Sequence, residues 1–503
     1  MNMRVSILSL LVAGLLWSGP ALAKPGDAAK GLAIYNKRCV WCHGEKGEGD
    51  GPAKERLNPP PRDFTSSNYK IKTAGFNSMI PNDDDIFRMI RDGMPGTSMP
   101  GWKSVLTDQD MWDLVAQIKK FSDIKENPES QVEYGTPIAS SPESLEKGKK
   151  LFMDLCAECH GDEGKGDANK KLKGDAEERT WPRNLTKPWT FRGSNEPKDI
   201  FTRVSTGIPG TQMPSFADPV SKKKLTVEER WHVANYASSL GKNGHKAESD
   251  NTVVKADRIE GELPSTPDDA VWNSRAPSTF NLVPQLIGKE RFFTPSLDTI
   301  TVRALYNSKE IAVLLEWDDR TKSLPGDQTA ISIADAPIQQ DAVAIQLPLS
   351  VPEGMEKPYF GMGDVANPVN LWYWKSGDTS TPEMVQLLNA KGFTDLTPRE
   401  AASVGLQAKG SYAKGTWRVL MRRPLTTDSG GNDLQFVEGR FIPIAFATWD
   451  GSNSEAKSRH AMTTWYWLLL KPPADSKPLV LALLVVVLLG LGEYWWVRSA
   501  AKS

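Results

Sequence analysis

Two short stretches hold the residues best suited to chemistry: Cys39-Val40-Trp41-Cys42-His43 and Cys156-Ala157-Glu158-Cys159-His160. Two thiols separated by two residues, with an imidazole alongside, can bind zinc, cycle as a redox dithiol or attach a haem. A structural zinc site needs four ligands, and C-x-x-C-H supplies three. A redox dithiol needs neither the histidine nor a second copy. Covalent haem attachment uses the whole motif: the thiols add to the two vinyl groups and the histidine lies under the iron. All four cysteines of the chain sit in these motifs, so none remains for a structural disulfide.

The surroundings of the motifs repeat. PRDFT at 61–65 matches PRNLT at 182–186, and DIFRMIRDGMPGTSMPGW at 85–102 matches DIFTRVSTGIPGTQMPSF at 199–216. The repeat selects a sixth ligand. Met79, Met89, Met94 and Met99 are all available in the first copy, but Met89 aligns with Arg203 and Met94 with Ile208. Met99 aligns with Met213, each inside G-T-x-M-P. A thioether raises the haem potential and fills the last coordination position. The expected pairs are His43 with Met99 and His160 with Met213. Arg62 and Arg183, each following a proline in the matching segments, can fork onto haem propionates.

Each copy opens with a helical segment before its cysteines and closes with another, TDQDMWDLVAQIKKFS and TVEERWHVANYASSLG, apolar at helical spacing. Two homologous all-α domains are expected, over 24–128 and 129–245, joined by a polar linker. After 245 the spacing changes to short β-branched or alternating runs, among them ITVRALYN, EIAVLLEW, DAVAIQLP and FIPIAFATWD, with Asn307-Ser308 as a hairpin turn. Seventeen tryptophans, concentrated after residue 370, fit an aromatic-rich β domain. An all-β sandwich over 250–470 is the expected architecture.

The 503 residues exceed one core, and the net charge of −1 gives no sign of nucleic-acid binding. Residues 1–23 read as an export leader: Arg4, an apolar run, then Ala21-Leu22-Ala23. The apolar run at 478–497 is expected to cross a bilayer as one C-terminal transmembrane helix, flanked by Tyr494, Trp495, Trp496 and Arg498. These termini together imply a body on the periplasmic side of the cytoplasmic membrane, with the C-terminus in the cytoplasm.

The repeat over about 25–243 resembles class I cytochromes c, which carry C-x-x-C-H near the start and a distal methionine later. The stretches DDAVWNSRAPSTFNLVPQ, IAVLLEWDDRTKS, FGMGDVANPVNLWYWK, GSYAKGTWRVLMRRPL and FIPIAFATWDGSNSE resemble the haem b-binding domain of ethylbenzene dehydrogenase γ subunits and of the selenate, chlorate, dimethylsulfide and nitrite enzymes related to them. That resemblance, over about 255–470, implies one non-covalent haem b with methionine and lysine as axial ligands. Carried over, the methionine is Met362 and the lysine Lys414, with Lys409 and His460 as rivals. It further implies a molybdopterin catalytic subunit and an iron–sulfur subunit as partners. The two cytochrome c domains in front and the anchor behind depart from the single-domain γ subunits of that family.

With two protein ligands on each iron, two haems c and one haem b are expected to conduct electrons between a molybdenum oxidoreductase and a soluble or membrane respiratory carrier, with no catalytic residue on this chain. Two alternatives stay open at this point: a haem enzyme such as a dihaem peroxidase, and a dihaem cytochrome c with a haem-free binding module.

Overall fold

The computed structural model describes residues 26–473 and 477–500, apart from 58, 67–68, 77, 79, 95–96, 123–130, 175–178, 242–251, 293, 354–355 and 378–381. The leader expected over 1–23 lies outside the described residues.

Two four-helix units come first. The first contains α1 (Ala28–Arg38), α2 (Val40–His43), α3 (Asp83–Asp92) and α4 (Asp108–Lys120); the second contains α5 (Pro142–Leu155), α6 (Ala157–His160), α7 (Pro197–Thr206) and α8 (Val227–Leu240). Polar caps start these helices. Asp27 accepts from the N–H groups of Ala29 and Lys30, and Thr107 and Thr226 head α4 and α8 in reciprocal capping boxes with Asp110 and Glu229. In each unit the first helix crosses the last at a glycine. A Cβ on Gly31 would collide with the carbonyl of Asp113, and one on Gly148 with that of His232. Aromatic pairs fix the remaining helix. Phe87 stacks on Trp112 and Phe201 on Trp231, both at 4.4 Å, so the sequence repeat is a repeat of packing.

The third unit holds strands β1 (Val253–Arg258), β2 (Ser278–Asn281), β3 (Val283–Pro284), β4 (Thr299–Tyr306), β5 (Glu310–Asp318), β6 (Ala342–Pro348) and β7 (Val369–Lys375). It continues with β8 (Met384–Ala390), β9 (Leu396–Arg399), β10 (Gln407–Ala413), β11 (Thr416–Pro424), β12 (Phe441–Trp449), β13 (Ala461–Met462) and β14 (Tyr466–Leu470). The hairpin expected at Asn307-Ser308 joins β4 to β5, with the Asn307 N–H donating to the Glu310 carbonyl at 3.0 Å.

The two-sheet all-β sandwich is corrected. The 14 strands form one sheet along the path β10-β11-β5-β4-β1-β14-β12-β6-β7-β8-β9, with β2, β3 and β13 attached to it. It is mixed, because β1 runs parallel to both β4 and β14. The cause is one long strand serving two wings: Phe441–Ile444 of β12 pair with β14, and Ala445–Trp449 pair with β6. The wings fold towards each other over an indole core, in which Trp374 of β7 lies 5.1 Å from Trp417 of β11 and 6.4 Å from Trp317 of β5.

The C-terminal transmembrane helix is also corrected. A helix, α9 (Lys477–Ala500), does form, yet among the described residues no helix is long and apolar enough to cross a membrane. Its C-terminal part carries the charged residues Glu493 and Arg498.

Candidate functional site

The C-x-x-C-H motifs fold identically. Cys39 and Cys156 end α1 and α5, with their N–H groups donating to the carbonyls of Tyr35 and Phe152, both at 2.8 Å. The next turn, α2 or α6, brings the second cysteine and the histidine round, and His43 N and His160 N donate to Cys39 O and Cys156 O, both at 2.9 Å. Burial first, and the neighbouring thiol second, push the Cys39 and Cys156 pKa values up to about 12.

Each histidine is held at one nitrogen. His43 Nδ1 lies 3.1 Å from the carbonyl oxygen of Arg62, and His160 Nδ1 lies 3.1 Å from that of Arg183. A carbonyl can only accept, so Nδ1 carries the proton and Nε2 presents its lone pair. Burial lowers both imidazole pKa values, against the raising effect of this hydrogen bond, which favours the neutral ligating form. The matched Pro-Arg segments therefore act through the main chain, a role the side-chain reading of Arg62 and Arg183 did not anticipate.

The methionine loops match too. Met99 and Met213 donate their N–H groups to Thr97 and Thr211 Oγ1, both at 3.2 Å, and their carbonyls accept from Met94 N and Ile208 N, both at 3.1 Å. In the second unit the four expected residues meet: Cys156, Cys159, His160 and Met213 line one cavity of about 910 Å³. Met213 and Cys156 also belong to one apolar cluster with Val204, Phe216 and Val233. The volume is within the range of cofactor sites.

Unpaired buried donors at these sites suit a ligand with carboxylates. The Tyr69 hydroxyl, beside Arg62, has no partner among the described residues, nor do Arg192 Nε and the two terminal nitrogens of Arg179 on the wall of the large cavity. Arg183 also lines that cavity, and its guanidinium pairs with Asp298. The residues present thus fit a haem: thiols for attachment, a neutral imidazole with a free Nε2, a thioether, and buried cationic and hydroxyl donors left for propionates.

The large cavity lies where all three units meet. Met89 of α3, Gly93 just after it, Trp181 of the second unit, and Asp298, Asp319, Arg320 and Asp450 of the β unit share its wall. Arg203 of α7 donates to the carbonyls of Lys70 and Lys72, and Arg88 lies 3.7 Å from Asp199, so α3 and α7 draw the helical units together. Arg179 and Arg320 flank the Trp181 ring at 4.9 and 3.9 Å. Next to them sits an acidic cluster that sequence reading missed, since its members are far apart in the chain. Asp319, Asp341 and Asp450 are buried with carboxyl oxygens within 4.8 Å of one another. Burial, then the charge of Asp450, pushes Asp341 up to about 8, and burial followed by Asp341 and Asp450 raises Asp319.

Met362 and Lys414 are not brought together. Met362 packs with Val369 and Leu371 at the start of β7. Lys414 instead occupies the hairpin turn between β10 and β11, with φ +50° there and φ +70° at Gly415, the two-residue geometry of a type I′ turn. Its side chain is 75% exposed and lies 3.6 Å from Glu163, and its carbonyl accepts from Lys165 at 3.2 Å. An iron-ligating amine must be desolvated; the Lys-Gly pair here makes a turn and docks the second helical unit. Lys409 points to solvent on β10.

Comparison with known proteins follows the same division. The family profile described as "Ethylbenzene dehydrogenase" matches residues 269–395 and 391–461, "Cytochrome C oxidase, cbb3-type, subunit III" matches 26–118, and "Cytochrome c" matches 145–241. The chain is 28% identical over 219 residues to a Haloferax mediterranei protein named for a haem subunit of respiratory nitrate reductase, covering 43% of this chain and 72% of that one. It is 28% identical over 257 residues to the chlorate reductase γ subunit of Ideonella dechloratans, covering 49% of this chain and 99% of that one. It is 32% identical over 107 residues to cytochrome c55X of Paracoccus denitrificans, covering 21% of this chain and 84% of that one. The chain belongs to the cytochrome c family, with two such domains in tandem ahead of a domain of the ethylbenzene dehydrogenase γ type.

Proposed function

We propose that this chain is the electron-relay subunit of a molybdenum oxidoreductase, passing electrons between an iron–sulfur partner and a respiratory carrier through two haems c and one haem b. The observation that carries the reading is the duplicated histidine setting, with Nδ1 bound to a main-chain carbonyl and Nε2 free, in two units that also repeat one form of methionine loop. Cys39, Cys42, His43 and Met99 would hold one haem c, and Cys156, Cys159, His160 and Met213 the other. When bound, each haem supplies a one-electron couple. The residues of this chain fix its surroundings: the Arg62 and Arg183 carbonyls orient the imidazoles, Phe64 stacks on His43 at 4.4 Å, and Val204, Phe216 and Val233 keep water from Met213. An iron with both axial positions filled changes oxidation state without binding substrate.

Likeness to the chlorate reductase γ subunit and to the nitrate reductase haem subunit supports a molybdopterin partner for the β unit. The leader pattern at 1–23 supports export, which suits covalent haem attachment. Co-purification tests the assignment: a molybdopterin subunit and an iron–sulfur subunit are expected with the native chain, alongside a haemochrome ratio of two c-type to one b-type. Rapid stoichiometric carbon monoxide binding to the reduced protein would count against a pure relay.

A further inference from the structure

The repeat between the two helical units breaks just before Arg183. Aligned on Arg62 and Arg183, the first copy reads Asn58-Pro59-Pro60-Pro61 where the second reads Arg179-Thr180-Trp181-Pro182. An arginine and a tryptophan thus enter the second copy with no counterpart in the first. Both line the large cavity together with Cys156, His160 and Met213. The Arg179 side chain is only 5% exposed. Its Nε faces Asp335 at 3.0 Å, and its two terminal nitrogens have no hydrogen-bond partner among the described residues. Buried cationic N–H groups left unbonded are costly unless a ligand accepts from them.

The β unit supplies the other half of this feature. Arg320, two residues past the end of β5, reaches across to the second helical unit. Its guanidinium lies over the Trp181 ring at 3.9 Å, and that of Arg179 lies over the same ring at 4.9 Å. Arg320 Nε donates to the Gly166 carbonyl at 2.9 Å, and Gly166 N donates to the His160 carbonyl at 2.7 Å. The first unit has the inner link alone. Gly49 N donates to the His43 carbonyl at 2.9 Å, and among the described residues no side chain of the β unit donates to Gly49.

Arg320 forms no ion pair among the described residues, although Asp319 and Asp450 share the cavity wall with it. Burial first, then Asp341 and Asp450, raise the Asp319 pKa, which weakens that carboxyl as a counter-ion. The wall of the cavity therefore presents two guanidiniums, held in place by one indole, to a space that already offers thiols, an imidazole and a thioether. Guanidinium forks match carboxylates, and a haem carries two as propionates.

We propose that the second haem c site is shared between two units: Arg320 of the β unit and Arg179, stacked on Trp181, bind the propionates of the haem held by Cys156, Cys159, His160 and Met213. This rests on the reading above that the large cavity holds a haem c. The two haems c then differ electrostatically despite having the same ligand types. Reduction adds one negative charge to a haem, and a cation at its propionates favours that state, so the second haem is easier to reduce than its axial ligands alone would make it. The β unit in this way sets the potential of a haem that it does not ligate.

The test uses the full chain purified with its haems. R320L should retain two c-type haems and lower the potential of one, the same haem that M213A alters. At a fixed potential near the midpoint, the reduced-to-oxidised ratio of that haem should fall by at least about twofold. R320K, which retains the charge, should fall less. K171A removes the pairing of Lys171 with Asp335 across the same boundary without altering the cavity wall, and should leave the ratio unchanged. A smaller change in R320L, or an equal fall in R320K or K171A, overturns the role of Arg320. Should R320L fail to fold, a density map of the unsubstituted haem-loaded chain should place a propionate oxygen of the second haem within hydrogen-bond distance of Arg320; propionates directed away from Arg179 and Arg320 overturn the proposal. Lack of haem on the peptide containing Cys156 and Cys159, read by mass spectrometry of the unsubstituted chain, overturns the haem reading together with it.

Discussion

His160 and Arg183 are linked through the side chain of one and the main chain of the other: the imidazole Nδ1 lies 3.1 Å from the arginine carbonyl, while the guanidinium of the same arginine pairs with Asp298 of the β unit. One residue thus orients a haem ligand and ties its domain to the next. The two roles can be separated, because a substitution at Arg183 keeps the carbonyl. R183L is expected to leave c-type haem content and the low-spin spectrum intact. It should raise hydrogen exchange around Asp298 and along 182–187, where Asn184 and Lys187 also reach Asp318 at 2.6 and 2.9 Å. Loss of c-type haem in R183L would show that the side chain, too, is needed at the haem.

Met213 tests the axial assignment. It shares the cavity with His160 and Cys156, so replacing it opens one coordination position while covalent attachment through Cys156 and Cys159 persists. M213A should retain two c-type haems, lower the potential of one by an appreciable part of the ~0.8 V range that axial ligands span, and give that one haem carbon monoxide binding. M99A should do the same to the other haem. Redox titration followed in the visible bands separates the two, and a titration of M213A indistinguishable from that of the unsubstituted protein would remove Met213 as a ligand.

How much of this was legible in the sequence depends on how local each feature is. The C-x-x-C-H turns, the G-T-x-M-P loops and the Asn307-Ser308 hairpin are made of neighbours in the chain, and the repeat isolates Met99 from Met89 and Met94. The parallel placement of β1 between β4 and β14 joins segments about 50 and 210 residues away, and nothing in the 253–258 stretch announces those partners. Lys414-Gly415 is ambiguous in the sequence for a physical reason: a lysine before glycine fits a ligand or an I′ turn, and the turn itself emerges only from the register Ala413↔Thr416. The Asp319–Asp341–Asp450 cluster had no signal at all, because burial is what makes three scattered aspartates a unit.

The two helix-crossing glycines should be intolerant of side chains. At Gly31 and Gly148 an added Cβ meets backbone carbonyls of the facing helix, which cannot rotate away. G31A and G148A are each expected to cost about 1–3 kcal/mol through overpacking. At Gly135, in a loop, a Cβ would meet the Val227 side chain and no backbone, so G135A should carry its cost largely through the φ of +54°. Calorimetry of the haem-loaded protein measures the first two, and unchanged unfolding temperatures would show that the helices cross with more slack.

The buried carboxylates predict how stability depends on pH. In the folded chain Asp341 is pushed up to about 8, by burial first and then by Asp450, and Asp319 is raised by burial and by both neighbours. Unfolded aspartates titrate near ~3.9. Between roughly pH 4 and 8 the native state therefore holds protons that the unfolded state has released, and stability must fall as pH rises through that window. D319N removes one of the three interacting charges, along with its own titration, so the slope should flatten. Trp317 and Thr321, whose N–H groups lie 3.4 and 3.2 Å from Asp319, can still donate to the amide oxygen one at a time. The comparison is the loss of unfolding temperature between pH 5 and pH 8 in the two proteins, where about 1 kcal/mol corresponds to roughly 2–4 °C for a domain of this size. The unsubstituted protein should lose more than D319N. Equal losses would mean that the acid protons of this cluster are not taken up on folding, and that the three carboxylates are stabilised as anions by Arg320 and Arg179 alongside.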